Sequence, residues 1–100
     1  MNQLVKDVLS WAEDKGILDV NNVPKQAMKV IEEVGETFQA ILKNKPEETK
    51  DGIGDVLVTM IILSGQLGLD PKDCLQTAYD VIKNRTGKTE NGVFIKSEDL

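Results

Sequence analysis

The sequence predicts an all-α fold: a four-helix bundle in a single domain, residues 1–100, completed by dimerisation and ended by a short C-terminal loop or hairpin. Three observations predict it. Apolar residues recur at three- and four-residue spacing through successive segments, the pattern of helices that bury one stripe. The segments are separated by clusters of Gly, Asn and Pro, with a proline near the start of each of the last three. The third segment is apolar around its whole circumference. Four helices in 100 residues can hardly surround it, so part of its surface is expected to meet another subunit.

Helix one is expected over about 3–15, from the spacing of Leu4, Val5, Val8, Leu9, Trp11 and Ala12, with Gly16 as its stop. Asn21, Asn22 and Pro24 mark a turn and a new start, with Asn22 as the cap and Pro24 in the first turn of helix two, about 23–43. Asn44, Lys45 and Pro46 break it. Helix three follows over about 47–67 and ends at Gly68. Its run Val56-Leu57-Val58-Thr59-Met60-Ile61-Ile62-Leu63 is rich in β-branched residues, but its length and the flanking helical spacing favour helix over strand. Asp70 caps helix four, about 71–84, with Pro71 as its first residue and Asp73 adding negative charge to its first turn. The tail, 85–100, holds turn residues Gly87, Asn91 and Gly92 around an extended-looking Val93-Phe94-Ile95.

Composition excludes several chemistries. Lys and Arg number 12 against 17 Asp and Glu, a net charge of −5 that argues against nucleic acid or an anionic membrane as partner. There is no His, which removes the usual near-neutral acid/base and the commonest ligand for zinc, copper or iron. A lone Cys74 makes neither an internal disulfide nor a thiolate cluster. Any metal site must therefore be built from oxygen, which suits Mg²⁺, Mn²⁺ or Ca²⁺. No basic-then-apolar leader opens the chain and no apolar run approaches the ~20 residues of a membrane span, so the reading is cytoplasmic.

The acids fall in two clusters, Glu32, Glu33 and Glu36 on helix two and Asp51 and Asp55 at the head of the apolar run. At about 100° per residue, Ala27, Val30, Ile31, Val34, Phe38, Ile41 and Leu42 share one broad face of helix two, and Gln26, Lys29, Glu33 and Glu36 form a narrow stripe beside it. Alone, that stripe also reads as a solvated face in which Lys29 and Glu33 make an ordinary ion pair. Asp51 and Asp55 change the balance, because an acid at the mouth of so apolar a segment must protonate or find a cation. Two helices each presenting a pair of acids would repel unless divalent cations neutralise them. Hard cations suit phosphate chemistry, with a carboxylate or a metal-activated water as base. Lys29, in the acidic stripe, and Lys83, Arg85 and Lys88, around the end of helix four, offer positive charge for phosphates; the last three equally complement a helix C-terminus. Gly35, Gly52 and Gly54 beside the acids read either as close helix packing or as room for a ligand.

Gln26-Ala-Met-Lys29-Val-Ile-Glu32-Glu33-Val-Gly-Glu36, followed by Asp51-Gly-Ile-Gly-Asp55-Val-Leu-Val, resembles the MazG-like all-α nucleoside triphosphate pyrophosphohydrolases, especially the short forms common in phages and Gram-positive bacteria. The resemblance runs over roughly 4–96 and includes Trp11-Ala12, Tyr79 to Gly87 and Asn91 to Phe94. It implies hydrolysis of an NTP or dNTP to the monophosphate and pyrophosphate, Mg²⁺ held by Glu33, Glu36 and Asp55, contacts from Gln26 and Lys29 to the nucleotide, and a helical bundle completed as a homodimer or tetramer.

In one departure, the Glu expected three residues before Asp55 is Gly52. Asp51 is the expected replacement as a metal ligand and Glu48, one turn earlier, a second candidate; the cation count follows from which is used, and Mn²⁺ is a substitute for Mg²⁺. The expected catalytic set is Glu32, Glu33, Glu36 and Asp55, with Glu32 supporting the ligands or acting as base. Gln26, Lys29, Lys83, Arg85 and Lys88 are expected at the substrate, and Trp11 either stacks on the base or belongs to the core. Two other readings stand beside this one: a non-catalytic helical dimer that binds a cation or a partner, and a dUTP- or dCTP-type hydrolase that also accepts diphosphates.

Overall fold

The computed structural model describes residues 2–100. Four helices occur in the expected order: α1 (Asn2–Asp14), α2 (Val23–Leu42), α3 (Pro46–Gln66) and α4 (Pro71–Ile82). Each boundary lies within two residues of its expected place, because the punctuating residues act as their chemistry dictates. Gly16 and Gly68 follow α1 and α3 at φ +72° and +71°, the left-handed geometry that glycine adopts without steric cost. Asp70 accepts a hydrogen bond from the Lys72 amide at 2.9 Å and caps α4. The start of α2 differs from expectation. Asn22 occupies the cap position but its side chain makes no capping bond; instead Asp19 accepts from the Asn21 amide at 2.9 Å and caps a 3₁₀ turn, Val20–Asn22, that leads into the helix.

The tail is a hairpin, β1 (Gly87–Glu90) paired antiparallel with β2 (Val93–Lys96), followed by a 3₁₀ turn at Ser97–Asp99. Asn91 and Gly92 both have positive φ, +52° and +80°, the signature of the tight Asn-Gly turn that matches strand twist.

The helices α2 and α3 run antiparallel as a hairpin, with Gln26 donating from Nε2 to the Thr59 carbonyl at 3.1 Å near one end and Thr37 against Gly52 toward the other. Helix α1 rests on α3, and buried Gln66 ties the segment that leaves α1 in place by donating to the Ile17 carbonyl at 2.9 Å.

Helix α2 faces the other way from what its apolar wheel suggests. Its inward residues are Glu33, Thr37 and Ala40, whereas Ile31, Val34, Phe38, Ile41 and Leu42 are exposed. On α3 the buried residues are Gly52, Thr59, Ile62 and Gln66, and Ile53, Leu57 and Met60 are exposed. The seam between the two long helices is thus small and polar. Among the described residues only Val5, Ala12, Ala40 and Ile62 are buried apolar side chains. Helix α4 leaves α3 at 105° and carries no buried residue.

Candidate active site

The polar seam opens into a cleft of about 200 Å³ between α2 and α3, lined by Glu33, Glu36, Thr37 and Ala40 from one helix and Glu48, Asp51, Gly52 and Asp55 from the other. Five carboxylates therefore share one small concavity. Helical spacing explains the set: Glu33, Glu36, Thr37 and Ala40 lie on one stripe of α2, and Glu48, Asp51, Gly52 and Asp55 on one stripe of α3.

Thr37 and Gly52 form the floor. A Cβ placed on Gly52 would overlap the Thr37 hydroxyl oxygen and stand 3.1 Å from Thr37 Cβ and 3.3 Å from its Cα. A side chain at 52 would require the Thr37 hydroxyl to turn away and the two helices to part by a few tenths of an ångström. The close approach supports the packing reading of this glycine, which also lines the cleft. Gly54 differs: a Cβ there would meet nothing within 4 Å, and it lines an outer groove of about 490 Å³ with Glu47, Lys50, Asp51, Asp55 and Val58. Asp51 and Asp55 stand on the ridge between the two concavities.

Charge is poorly compensated inside the cleft. Glu33 is buried and pairs with Lys29 Nζ at 3.5 Å, the ordinary i,i+4 ion pair. Asp55 has its pKa raised above 3.8, first by its loss of solvent, then by the negative charges of Asp51 and Glu33, with Lys29 opposing. Glu48 pairs with Lys45 at 3.7 Å, but both side chains are more than half exposed and the pair is weak.

An all-oxygen donor set around uncompensated charge matches the chemistry of a hard divalent cation. Its fit is one of residue type and placement, since among the described residues no three carboxylates converge closely enough to hold a cation as they lie.

Other expected site residues lie elsewhere. Glu32 is exposed and does not line the cleft. Gln26 uses its amide on the Thr59 carbonyl, one strut of the helix pair. Trp11 is about half exposed on α1, so it is neither core nor part of the cleft wall. Lys83, Arg85 and Lys88 are exposed on the arm formed by α4 and the hairpin, where Lys83 pairs with Asp80 and Lys88 with Glu90, each at 3.1 Å. Thr37 and Ala40 were not singled out in the sequence; their signal is two small residues one and two turns beyond Glu33 on its stripe. A wider groove of about 690 Å³ at the α2–α3 turn, lined by residues such as Ile41, Lys45, Thr49 and Ile53, holds no paired acids.

The chain is 41% identical over 70 residues to the "Uncharacterized 18.2 kDa protein in rep-hol intergenic region" of Haemophilus phage HP1 (strain HP1c1), a match covering 70% of this chain and 43% of the phage protein. The chain thus spans less than half the length of that relative. No solved structure matches. No single helix among the described residues is long and apolar enough to cross a membrane. The family model for the MazG nucleotide pyrophosphohydrolase domain matches residues 23–89, which take in α2, α3, α4 and most of the first strand with every carboxylate of the cleft, and the chain belongs to that family.

Proposed function

We propose that the protein is a Mg²⁺-dependent nucleoside triphosphate pyrophosphohydrolase, for which Mn²⁺ can substitute, acting on an NTP or dNTP as a homodimer or tetramer. The observation that carries the reading is the cleft of five carboxylates on two antiparallel helices, with Lys29 paired to the buried acid Glu33. Glu33, Glu36, Asp51 and Asp55 would hold the cation, and Glu48 reaches the same cleft from one turn before Asp51. When bound, the cation would neutralise phosphate oxygens and lower the pKa of a water.

The residues of the chain do the rest. The water oxygen bonds to the phosphorus that carries the nucleoside, the bridging P–O bond to the next phosphorus breaks, and pyrophosphate leaves. A cleft carboxylate takes the water proton, since no His is present. Glu32, outside the cleft, is assigned a supporting role toward Glu33 and Glu36. Lys29 offsets negative charge at the edge of the site. Lys83, Arg85 and Lys88 supply positive charge to the phosphates.

Incubating the protein with a panel of NTPs, dNTPs and diphosphates plus Mg²⁺ or Mn²⁺, and resolving the products, tests the reading. Monophosphate and pyrophosphate are expected from triphosphates. Orthophosphate release overturns the reaction, and full turnover in Glu36→Gln overturns the site. One other reading, a helical module that binds a partner without turnover, is favoured because among the described residues no three carboxylates converge closely enough to hold a cation as they lie. No hydrolysis of any nucleotide with either ion is its expected result.

A further inference from the structure

We infer that the hydroxyl oxygen of Thr37 is an uncharged ligand for the cation of the acid cleft, taking the place of the carboxylate that is missing at Gly52. This role rests on the cation-binding reading proposed above and adds to it an oxygen from outside the acidic set.

Thr37 is only 8% exposed and lines the cleft with Glu33, Glu36, Asp51 and Asp55. A threonine hydroxyl has one hydrogen to donate and two lone pairs to accept with. The hydrogen is committed, because Oγ1 donates to the Glu33 carbonyl at 2.7 Å. What the oxygen still offers is acceptor capacity alone. None of the other residues lining the cleft carries a side-chain N–H to meet it, since they are Ala40, Gly52 and five carboxylic acids. A buried acceptor among other acceptors is satisfied by a cation. No three carboxylates converge on one point as they lie, whereas the Thr37 oxygen is held in place by its own bond to the helix.

Its position is as telling as its chemistry. A Cβ placed on Gly52 would fall on the Thr37 oxygen, so that oxygen occupies the point from which a glutamate three residues before Asp55 would enter the cleft. A glutamate there would make six carboxylates of five. A hydroxyl supplies an oxygen without adding to the repulsion. Serine and threonine hydroxyls are natural Mg²⁺ ligands, as in the phosphate-binding loops of NTPases.

The bond to the preceding turn is in itself ordinary. Thr49, Ser64 and Thr77 make it too, at 2.8, 2.9 and 2.9 Å, and all three of those bonds are exposed. Thr59 is buried, at 6% exposure, and donates to the Val56 carbonyl at 2.8 Å, but it does not line the cleft. Of these five hydroxyls, Thr37 alone combines burial with a place among the acids.

Calorimetric titration of the nucleotide-free protein with metal alone tests the role, with circular dichroism to check that each variant keeps its helices. Thr37→Ser keeps the oxygen and should bind Mg²⁺ within about threefold of wild type, whereas Thr37→Val keeps the shape and should bind about tenfold more weakly or worse. Thr59→Val removes the other buried hydroxyl and should leave the affinity unchanged. Thr37→Cys, made with Cys74→Ser so that no other thiol competes, puts a soft sulfur in place of the hard oxygen. It should lose Mg²⁺ as Thr37→Val does, yet bind Cd²⁺ about tenfold more tightly than Cys74→Ser alone, with a sulfur-to-cadmium charge-transfer band that the parent lacks. That gain decides the matter even where Thr37→Val fails to fold. Thr37→Val at wild-type affinity, an equal loss in Thr59→Val, or Thr37→Cys without the gain for Cd²⁺ overturns the role of Thr37 and leaves the cation reading standing. A wild-type protein that binds neither Mg²⁺ nor Mn²⁺ overturns the cation reading itself, and the role of Thr37 with it.

Discussion

Asp55 holds its proton to higher pH than an isolated aspartate, because it has lost solvent and sits between Asp51 and Glu33. Folded protein therefore binds more protons than unfolded chain at pH values from about 3.8 up to the raised folded value. Stability of the cation-free protein should accordingly fall as pH rises through that interval and stay lower above it. Asp55→Asn removes this slope and relieves the like-charge i,i+4 pair with Asp51, worth about 0.3–0.5 kcal/mol, so the melting temperature near neutral pH should rise by roughly 2–4 °C. Nucleotide hydrolysis should fall by about 10²-fold or more in the same variant. Calorimetry across pH and a product assay check the two halves. The glycines give a second contrast at this scale. Gly52→Ala drives a Cβ into Thr37 and should destabilise by about 1–2 kcal/mol, while Gly54→Ala meets nothing within 4 Å and should stabilise by about 0.5–1 kcal/mol. Urea melts that moved both variants the same way would refute the account of the cleft floor.

At the scale of elements, α4 depends on its ends more than the other helices do, because it has no buried residue to hold it. Asp70→Ala removes its cap at a cost of about 1 kcal/mol and should fray the helix with little effect on α1 to α3. Amide exchange should show protection lost from about 71–82 while the Gln26–Thr59 region keeps its own. The four helices and the hairpin were legible in the sequence because Pro24, Pro46, Pro71, Gly16, Gly68 and Asn91-Gly92 act locally, through φ and missing or satisfied hydrogen bonds. What α2 turns inward was not. Hydrophobic periodicity identifies a face but not its neighbour, and here the apolar face of α2 is exposed while Glu33, Thr37 and Ala40 meet α3. The reason for Gly52 was equally hidden, since it depends on Thr37, 15 positions away in sequence and across a helix pair. Glu33, Glu36, Asp51 and Asp55 were legible as a cleft because paired acids at one-turn spacing keep their face wherever the helix goes.

For the molecule as a whole, five acids in one cleft and few buried apolar side chains make the cation-free protomer marginal. A ligand that binds only the folded state adds RT ln(1 + [L]/Kd), about 2.7 kcal/mol at a hundredfold excess over Kd. Saturating Mg²⁺ or Mn²⁺ should therefore raise the melting temperature by several degrees, with EDTA reversing it and Asp55→Asn blunting it. An unchanged melting temperature with both ions would refute cation binding at the cleft. The contact between Thr37 and Gly52 gives such experiments an unusual property. The separation of the two acid-bearing helices is gauged by an uncharged pair at main-chain distance, so charge and spacing are independent variables. Each carboxylate can be turned into its amide in turn, and whatever changes reports the lost charge in an undeformed frame.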